Sequence, residues 1–229
     1  MNHTSAAPPP SDDIPPRREG CPGCTDRCLC FDELVALRKR VNELAGITIT
    51  DELTGLYNYR HLQQILRTEM ERTERTGSPT ALIMADLDHF KQVNDTFGHE
   101  NGNLVLVETA NRIRSAIRKI DMPCRFGGEE IVVILPNTHI EQGSMVAERI
   151  RELLAATPVE TPAGPVYVTA SFGVDVYLHN DSLSLDEFIA RADQQMYEAK
   201  RTGRNRVVPR ALAPDTSVSA EERDELLRR

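Results

Sequence analysis

The sequence predicts an α+β fold with α/β-like character, a central mixed sheet flanked by helices. Two observations predict it. From Thr54 to Val208 segments of helical periodicity alternate with short apolar runs rich in β-branched residues, and glycine, proline or asparagine stands at most of the junctions. A region of about 155 residues is also long enough to bury a sizeable core.

Residues 1–30 form a tail: Pro8-Pro9-Pro10, Pro15-Pro16 and scattered charges give the first 20 residues too little apolar surface to order themselves. Four of the five cysteines, Cys21, Cys24, Cys28 and Cys30, then fall within ten residues. In 31–50, Leu34, Leu37, Val41 and Leu44 are spaced three and four apart, which predicts a short helical stalk suited to dimerisation or a single amphipathic helix. The main region, 51–208, predicts a helix over 54–77, a strand over 79–85, a short helix over 89–97, a turn at Gly98-His-Glu-Asn-Gly102 and a longer helix over 103–117. A hairpin over 123–135 turns at Gly127-Gly128, followed by a helix over 138–156, a strand component over 166–177, a helix over 185–201 and a closing strand over 205–208. Residues 209–229 are a Pro/Ala/Ser linker and a charged tail.

Composition excludes several function classes. A net charge of −8 argues against a general nucleic-acid binder, which needs a clustered basic surface. No apolar stretch is long enough for a membrane span, and the first 20 residues lack the apolar core of a signal peptide. The expectation is a cytoplasmic protein.

Chemistry concentrates in two segments. The apolar run Ala81 to Ala85 ends in Asp86 and Asp88, and Gly127-Gly128 is followed at once by Glu129 and Glu130. Carboxylates meeting at a glycine turn suit a hard cation held beside phosphates. Asp86 and Asp88 also read as caps for the next helix, because aspartate is a favoured N-cap.

These segments, Ala-Asp-Leu-Asp-His-Phe-Lys from Ala85 and Arg-Phe-Gly-Gly-Glu-Glu from Arg125, resemble the catalytic signature of GGDEF-domain diguanylate cyclases. The resemblance runs from about Asp51 to Val208, with Asp51-Glu-Leu-Thr-Gly-Leu-Tyr-Asn at the entrance and Ala199-Lys-Arg-Thr-Gly-Arg-Asn-Arg at the exit. It narrows the fold to the ferredoxin-like palm of nucleotidyl cyclases. It implies condensation of two GTP into cyclic di-GMP and two pyrophosphates by a Mg²⁺-dependent homodimer, with Mn²⁺ as a substitute, in bacterial second-messenger signalling that includes biofilm control. It assigns metal binding to Asp86, the Leu87 carbonyl and Glu129. Glu129 and Glu130 are the catalytic carboxylates, and their division of labour stays open. Lys91, Lys200 and Arg204 are assigned to the triphosphate, and Asn94, His99 and position 103 to substrate binding.

Position 103 departs from the family aspartate. Guanine offers two adjacent donors that a carboxylate accepts together, whereas Asn103 accepts once. Losing one hydrogen bond to a charged group is worth about 1.5–3 kcal/mol, or tenfold and more in binding. Weaker GTP binding is one consequence; relaxed specificity with some ATP use and mixed cyclic dinucleotides is the other. A second departure is Ile131 in place of the usual phenylalanine, which should point into the core.

Arg118-Lys-Ile-Asp121 resembles the family's inhibitory site and implies feedback by cyclic di-GMP; otherwise it is an exposed ion pair. The cysteine cluster could hold Zn²⁺ or an iron–sulfur cluster, act as a redox pair, or bind nothing. A regulatory protein on the stalk is a further expected partner. The competing reading is a non-catalytic sensor of GTP or cyclic di-GMP, supported by Asn103.

Overall fold

The computed structural model describes residues 48–212. The cysteine cluster, nearly all of the stalk at 31–50 and the tail beyond 212 lie outside the described residues.

The described chain runs α1 (Tyr59–Thr76), β1 (Thr80–Leu87), α2 (Phe90–Phe97), α3 (His99–Ala116), β2 (Met122–Gly127), β3 (Glu130–Leu135), α4 (Ile140–Ala156), β4 (Val159–Thr161), β5 (Gly164–Val166), β6 (Ala170–Tyr177), α5 (Leu185–Arg201) and β7 (Val207–Pro209). The main sheet is ordered β2-β3-β1-β6-β7, and β4 and β5 form a separate ribbon. Both β3 and β6 run antiparallel to β1, and β7 joins β6 in parallel, so the sheet is mixed. Strands β1, β2, β3 and β6 with their helices make the ferredoxin-like palm that the resemblance implied.

All eight residues of β1 are buried, which explains its unbroken apolar run: helices cover both faces. Ala81, Ile83, Ala85 and Leu87 pack with residues of α3 and α4, among them Val105, Ile113, Ala147 and Ile150. Leu82 and Met84 pack with Leu62, Leu66 and Met70 of α1 and Phe188, Ala192 and Met196 of α5. Ile131 does point into the core, on the α3/α4 side, at 2 % exposure. On the opposite face, α5 lies directly on β6. A Cβ on Gly173 would stand 2.2 Å from both the Ala192 carbonyl oxygen and the Met196 nitrogen, so only glycine admits this approach.

Helices α3 and α4 cap one another. Arg112 of α3 donates to the carbonyls of Leu154, Thr157 and Pro158 at the end of α4, while Arg149 of α4 donates through Nε to the Ala116 carbonyl at the end of α3. These guanidiniums satisfy carbonyls that have no partner within their own helix.

Several boundaries differ from the sequence expectation; β1 runs on through Asp86 and Leu87, and the closing strand starts at Val207 rather than Asn205. Helix α1 begins at Tyr59 rather than Thr54, because Thr54 donates through both its amide and hydroxyl to Asp51 and the chain turns before Asn58 caps the helix by accepting from the His61 amide. Helix α3 begins at His99, so much of the expected Gly98–Gly102 turn is its first turn. The strand expected over 166–177 divides into β5, paired with β4, and β6.

Candidate active site

Asp86 is the next-to-last residue of β1 and is 8 % exposed. Its cross-strand partner is Glu130 at the start of β3, so the two side chains share a face. Lys200, in the last turn of α5, brings Nζ to 2.7 Å from Asp86 Oδ2. Burial holds the Asp86 carboxyl above its ordinary value; Lys200 opposes that, and the charges of Glu129 and Asp88 reinforce it. Glu130 is likewise held up by burial and by Asp86, against the pull of Lys200, with Asp193 and Glu129 adding to the rise. One ammonium therefore answers several carboxylates, a surplus of negative charge that a divalent cation would relieve.

The adjacent glutamates serve different sides. Glu129 lines a small cavity on the α3 side with Asp86, Leu87, Thr109 and Ile131. Glu130 lines a groove on the α1/α5 side with Tyr59, Phe126, Ile189 and Asp193. The ladder slips between Arg125 and Gly127, and the two-residue turn is Gly128-Glu129 rather than the expected Gly127-Gly128, so Glu129 stands in the turn itself while Glu130 opens β3.

Asp86, Leu87 and Glu129 thus border one cavity. Among the described residues no three His, Cys, Asp or Glu side chains gather into an all-protein metal site. Two carboxylates and a carbonyl nevertheless fit Mg²⁺, which keeps several waters and commonly takes one or two carboxylates together with substrate phosphates.

The turn is tethered to the start of the described chain. Arg125 donates through Nε and Nη2 to the Gly128 carbonyl at 3.0 and 2.7 Å, and through Nη1 to both Asp51 oxygens at 3.1 Å. Sequence reasoning found both motifs but missed this link, because 74 residues separate the partners. Asp193 was missed as well; its only signal is its place on the face of α5 one turn past Ile189.

The other expected residues lie around this centre. The Asn94 side chain occupies the space beside Gly102, where a Cβ would stand 1.9 Å from Asn94 Oδ1. Asn103, the next residue of α3, is exposed, as are His99 and Lys91. Arg204 is exposed in the loop after α5, with a left-handed φ of 60°. Asp88 caps no helix: His89 is the N-cap of α2, and the Asp88 carboxylate accepts from Thr169, Ser171 and Asn205. Arg118 and Asp121 share a turn, with Asp121 Oδ2 accepting from the Arg118 amide at 2.7 Å. Asp121 is 6 % exposed, and its Oδ1 has no partner.

A family model described as "Diguanylate cyclase, GGDEF domain" matches residues 48–206. The chain belongs to the GGDEF-domain family. Response regulator PleD of Caulobacter vibrioides is 40% identical over 177 residues, 76% of this chain and 39% of the relative. Diguanylate cyclase DgcP of Pseudomonas aeruginosa is 42% identical over 159 residues, 69% of this chain and 23% of the relative. The chain therefore spans well under half the length of these two relatives. Among solved structures, diguanylate cyclase SiaD from Pseudomonas aeruginosa, crystallised with its activator SiaC, matches with a TM-score of 0.68 at 39% identity, covering 78% of this chain and 68% of that one. The coiled coil and GGDEF domain of DgcB from Caulobacter crescentus, in complex with c-di-GMP, also matches at 0.68, with 27% identity and 78% and 94% coverage. This GGDEF domain has the palm-like α+β fold of those structures.

Proposed function

We propose that this chain is a diguanylate cyclase that joins two GTP into cyclic di-GMP and two pyrophosphates. The observation that carries the reading is the gathering of the Asp86, Glu129 and Glu130 carboxylates where β1 meets the β2–β3 turn, each acting on the others' charge, with Lys200 held against Asp86.

Asp86, the Leu87 carbonyl and Glu129 would hold Mg²⁺ or Mn²⁺. When bound, the metal neutralises phosphate charge and polarises the α-phosphate toward attack. Lys200, held against Asp86, would clamp the triphosphate together with Lys91 and Arg204. Helix α2 begins two residues past Asp88, so the positive end of its dipole adjoins the same mouth. Asn94, Asn103 and His99 lie at the α2/α3 hairpin, where they hold the base.

In the reaction the 3′-oxygen of one GTP forms a bond to the α-phosphorus of the other, and the bond to pyrophosphate breaks. Glu130, directly across the ladder from Asp86, would accept the 3′-hydroxyl proton. Repetition in the reverse sense closes the ring, so two protomers must face one another, each presenting one GTP. No helix among the described residues is long and apolar enough to cross a membrane.

The test is incubation of the purified protein with Mg²⁺ and GTP, with products identified by mass spectrometry. Cyclic di-GMP that disappears in Glu129→Ala supports the reading. No cyclic dinucleotide from a confirmed dimer sinks it in favour of a nucleotide-sensing regulator.

A second reading concerns specificity, and the exposed Asn103 beside the Asn94–Gly102 contact favours it. The chain then accepts some ATP and makes a mixed cyclic dinucleotide; ATP and GTP supplied together with no adenine-containing product rule that out. Arg118 and Asp121 are the proposed feedback site, and a regulatory protein on the stalk the proposed input.

A further inference from the structure

Asp88 sits two residues beyond Asp86 at 6 % exposure, yet no role in the reaction falls to it. Its carboxylate is fully employed elsewhere. Oδ1 accepts from the Ser171 hydroxyl at 2.6 Å, and Oδ2 accepts from the Thr169 hydroxyl at 2.7 Å and from the Asn205 backbone amide at 3.0 Å. The Asp88 amide in turn donates to the Thr169 carbonyl at 2.8 Å. The first two partners belong to the start of β6 and the residue before it; the third lies 117 residues away in sequence.

That third partner sits in an unusual stretch of backbone. Gly203, Arg204 and Asn205 have φ of 127°, 60° and 44°, so two consecutive non-glycine residues adopt the left-handed region. Such residues cost free energy and persist where surrounding contacts hold them. The contacts are few: the Arg204 amide donates to the Ala199 carbonyl, the Arg204 carbonyl accepts from Arg206 Nε at 3.1 Å, the Asn205 side chain accepts from Arg151, the Arg206 carbonyl accepts from the Phe172 amide, and the Asn205 amide is taken by Asp88. Of these acceptors only Asp88 is a buried charge, and hydrogen bonds to charged groups are the strong ones.

We propose that Asp88 is a positioning residue that holds the Gly203–Asn205 bend and thereby aims the Arg204 guanidinium at the triphosphate. The proposal rests on the function proposed above for the ground it gives Arg204, and it adds the residue through which the bend is fixed. An asparagine at 88 retains one accepting oxygen for three donors, which releases the bend while keeping the volume of the side chain.

The experiment is a double-mutant cycle on the full chain with Asp88→Asn and Arg204→Ala, read as KM and kcat for GTP and as the dissociation constant for GTP by calorimetry without turnover. Asp88→Asn is expected to weaken GTP binding and raise KM about tenfold, and to add less than about twofold in the Arg204→Ala background, since coupled residues are not additive. Ser171→Ala leaves Asp88 Oδ1 without its hydroxyl but spares the Asn205 contact, so it should change KM by less than about twofold. Multiplicative losses in the double variant, or an equal rise in KM for Ser171→Ala, overturn the proposal. A wild type that binds GTP but makes no cyclic dinucleotide sinks the cyclase reading alone, and the affinity cycle still decides the role of Asp88. Wild-type hydrogen exchange provides a check needing no variant: the Asn205 amide should be protected despite its exposed loop, and rapid exchange there overturns the proposal.

Discussion

Lys200 Nζ at the end of α5 lies 2.7 Å from Asp86 Oδ2 at the end of β1, and this contact joins the last turn of one helix to the mouth of the central strand. The pair is the junction between the fold and the proposed chemistry. A buried carboxylate is a burden on stability, kept where a substrate or cation will use it.

Asp86→Asn should therefore separate activity from stability. The rate of cyclic di-GMP formation is expected to fall by about 100-fold or more, as when a principal electrostatic group is removed. The thermal midpoint should stay level or rise. Lys200→Met should lower both, because it leaves Asp86 buried without its cation. Product assays and melting curves on the same preparations check this.

Gly173→Ala should act at a distance on Lys200. The new methyl meets backbone atoms of α5 at 2.2 Å, and the helix must lift from β6. Overpacking of this kind costs about 1–3 kcal/mol, and a displaced Lys200 predicts a lower rate as well. Urea unfolding with a rate measurement tests both halves; unchanged stability would contradict the close approach.

Asp175 is fully buried and is met by Arg191 of α5 and Arg210 just past β7, while its Oδ1 accepts from the Val176 amide. Asp175→Asn leaves two guanidiniums facing a neutral group in a closed site. The expected loss is about 3–5 kcal/mol, the cost of breaking a buried pair from one side. A urea midpoint equal to wild type would show the cluster to be inert.

The Asp51–Arg125 tether predicts a pH dependence of stability. Burial pushes the Asp51 carboxyl up, but hydrogen bonds from the Thr54 hydroxyl and amide and from Arg125 outweigh it and hold the group below its ordinary value of 3.8. A depressed folded-state value means that the contribution is fully present above the unfolded value and is lost as pH falls through the folded one. The stability gap between wild type and Asp51→Asn should thus be constant from about pH 5 to about pH 8, and should close below about pH 4. Urea titrations at stepped pH measure it; a gap that widens in acid would refute the tether.

Feedback by product predicts a particular phenotype for Asp121. Its Oδ2 is occupied by the Arg118 amide, while Oδ1 is buried without a partner. Asp121→Ala should relieve inhibition by added cyclic di-GMP and also loosen the turn, whereas Arg118→Ala should relieve inhibition with little effect on the melting temperature. A wild-type steady-state rate unaltered by cyclic di-GMP would remove the site from consideration.

Much of this was legible in the chain itself. The unbroken apolar run of β1 and the span of α5 follow from local pattern, because burial on two faces or along one stripe leaves its period in the sequence. The carboxylates Asp86, Glu129 and Glu130 were legible because their motifs are contiguous. The tertiary structure alone decided the rest. It set Lys200 against Asp86, put Glu129 in the turn and Glu130 at the start of β3, tied Asp51 to Gly128 through Arg125, and turned Asp88 from a candidate helix cap into the anchor of Asn205. Each of these depends on strand register or on how closely a helix approaches the sheet. Those quantities are settled by packing between segments far apart in the chain, and no local pattern records them.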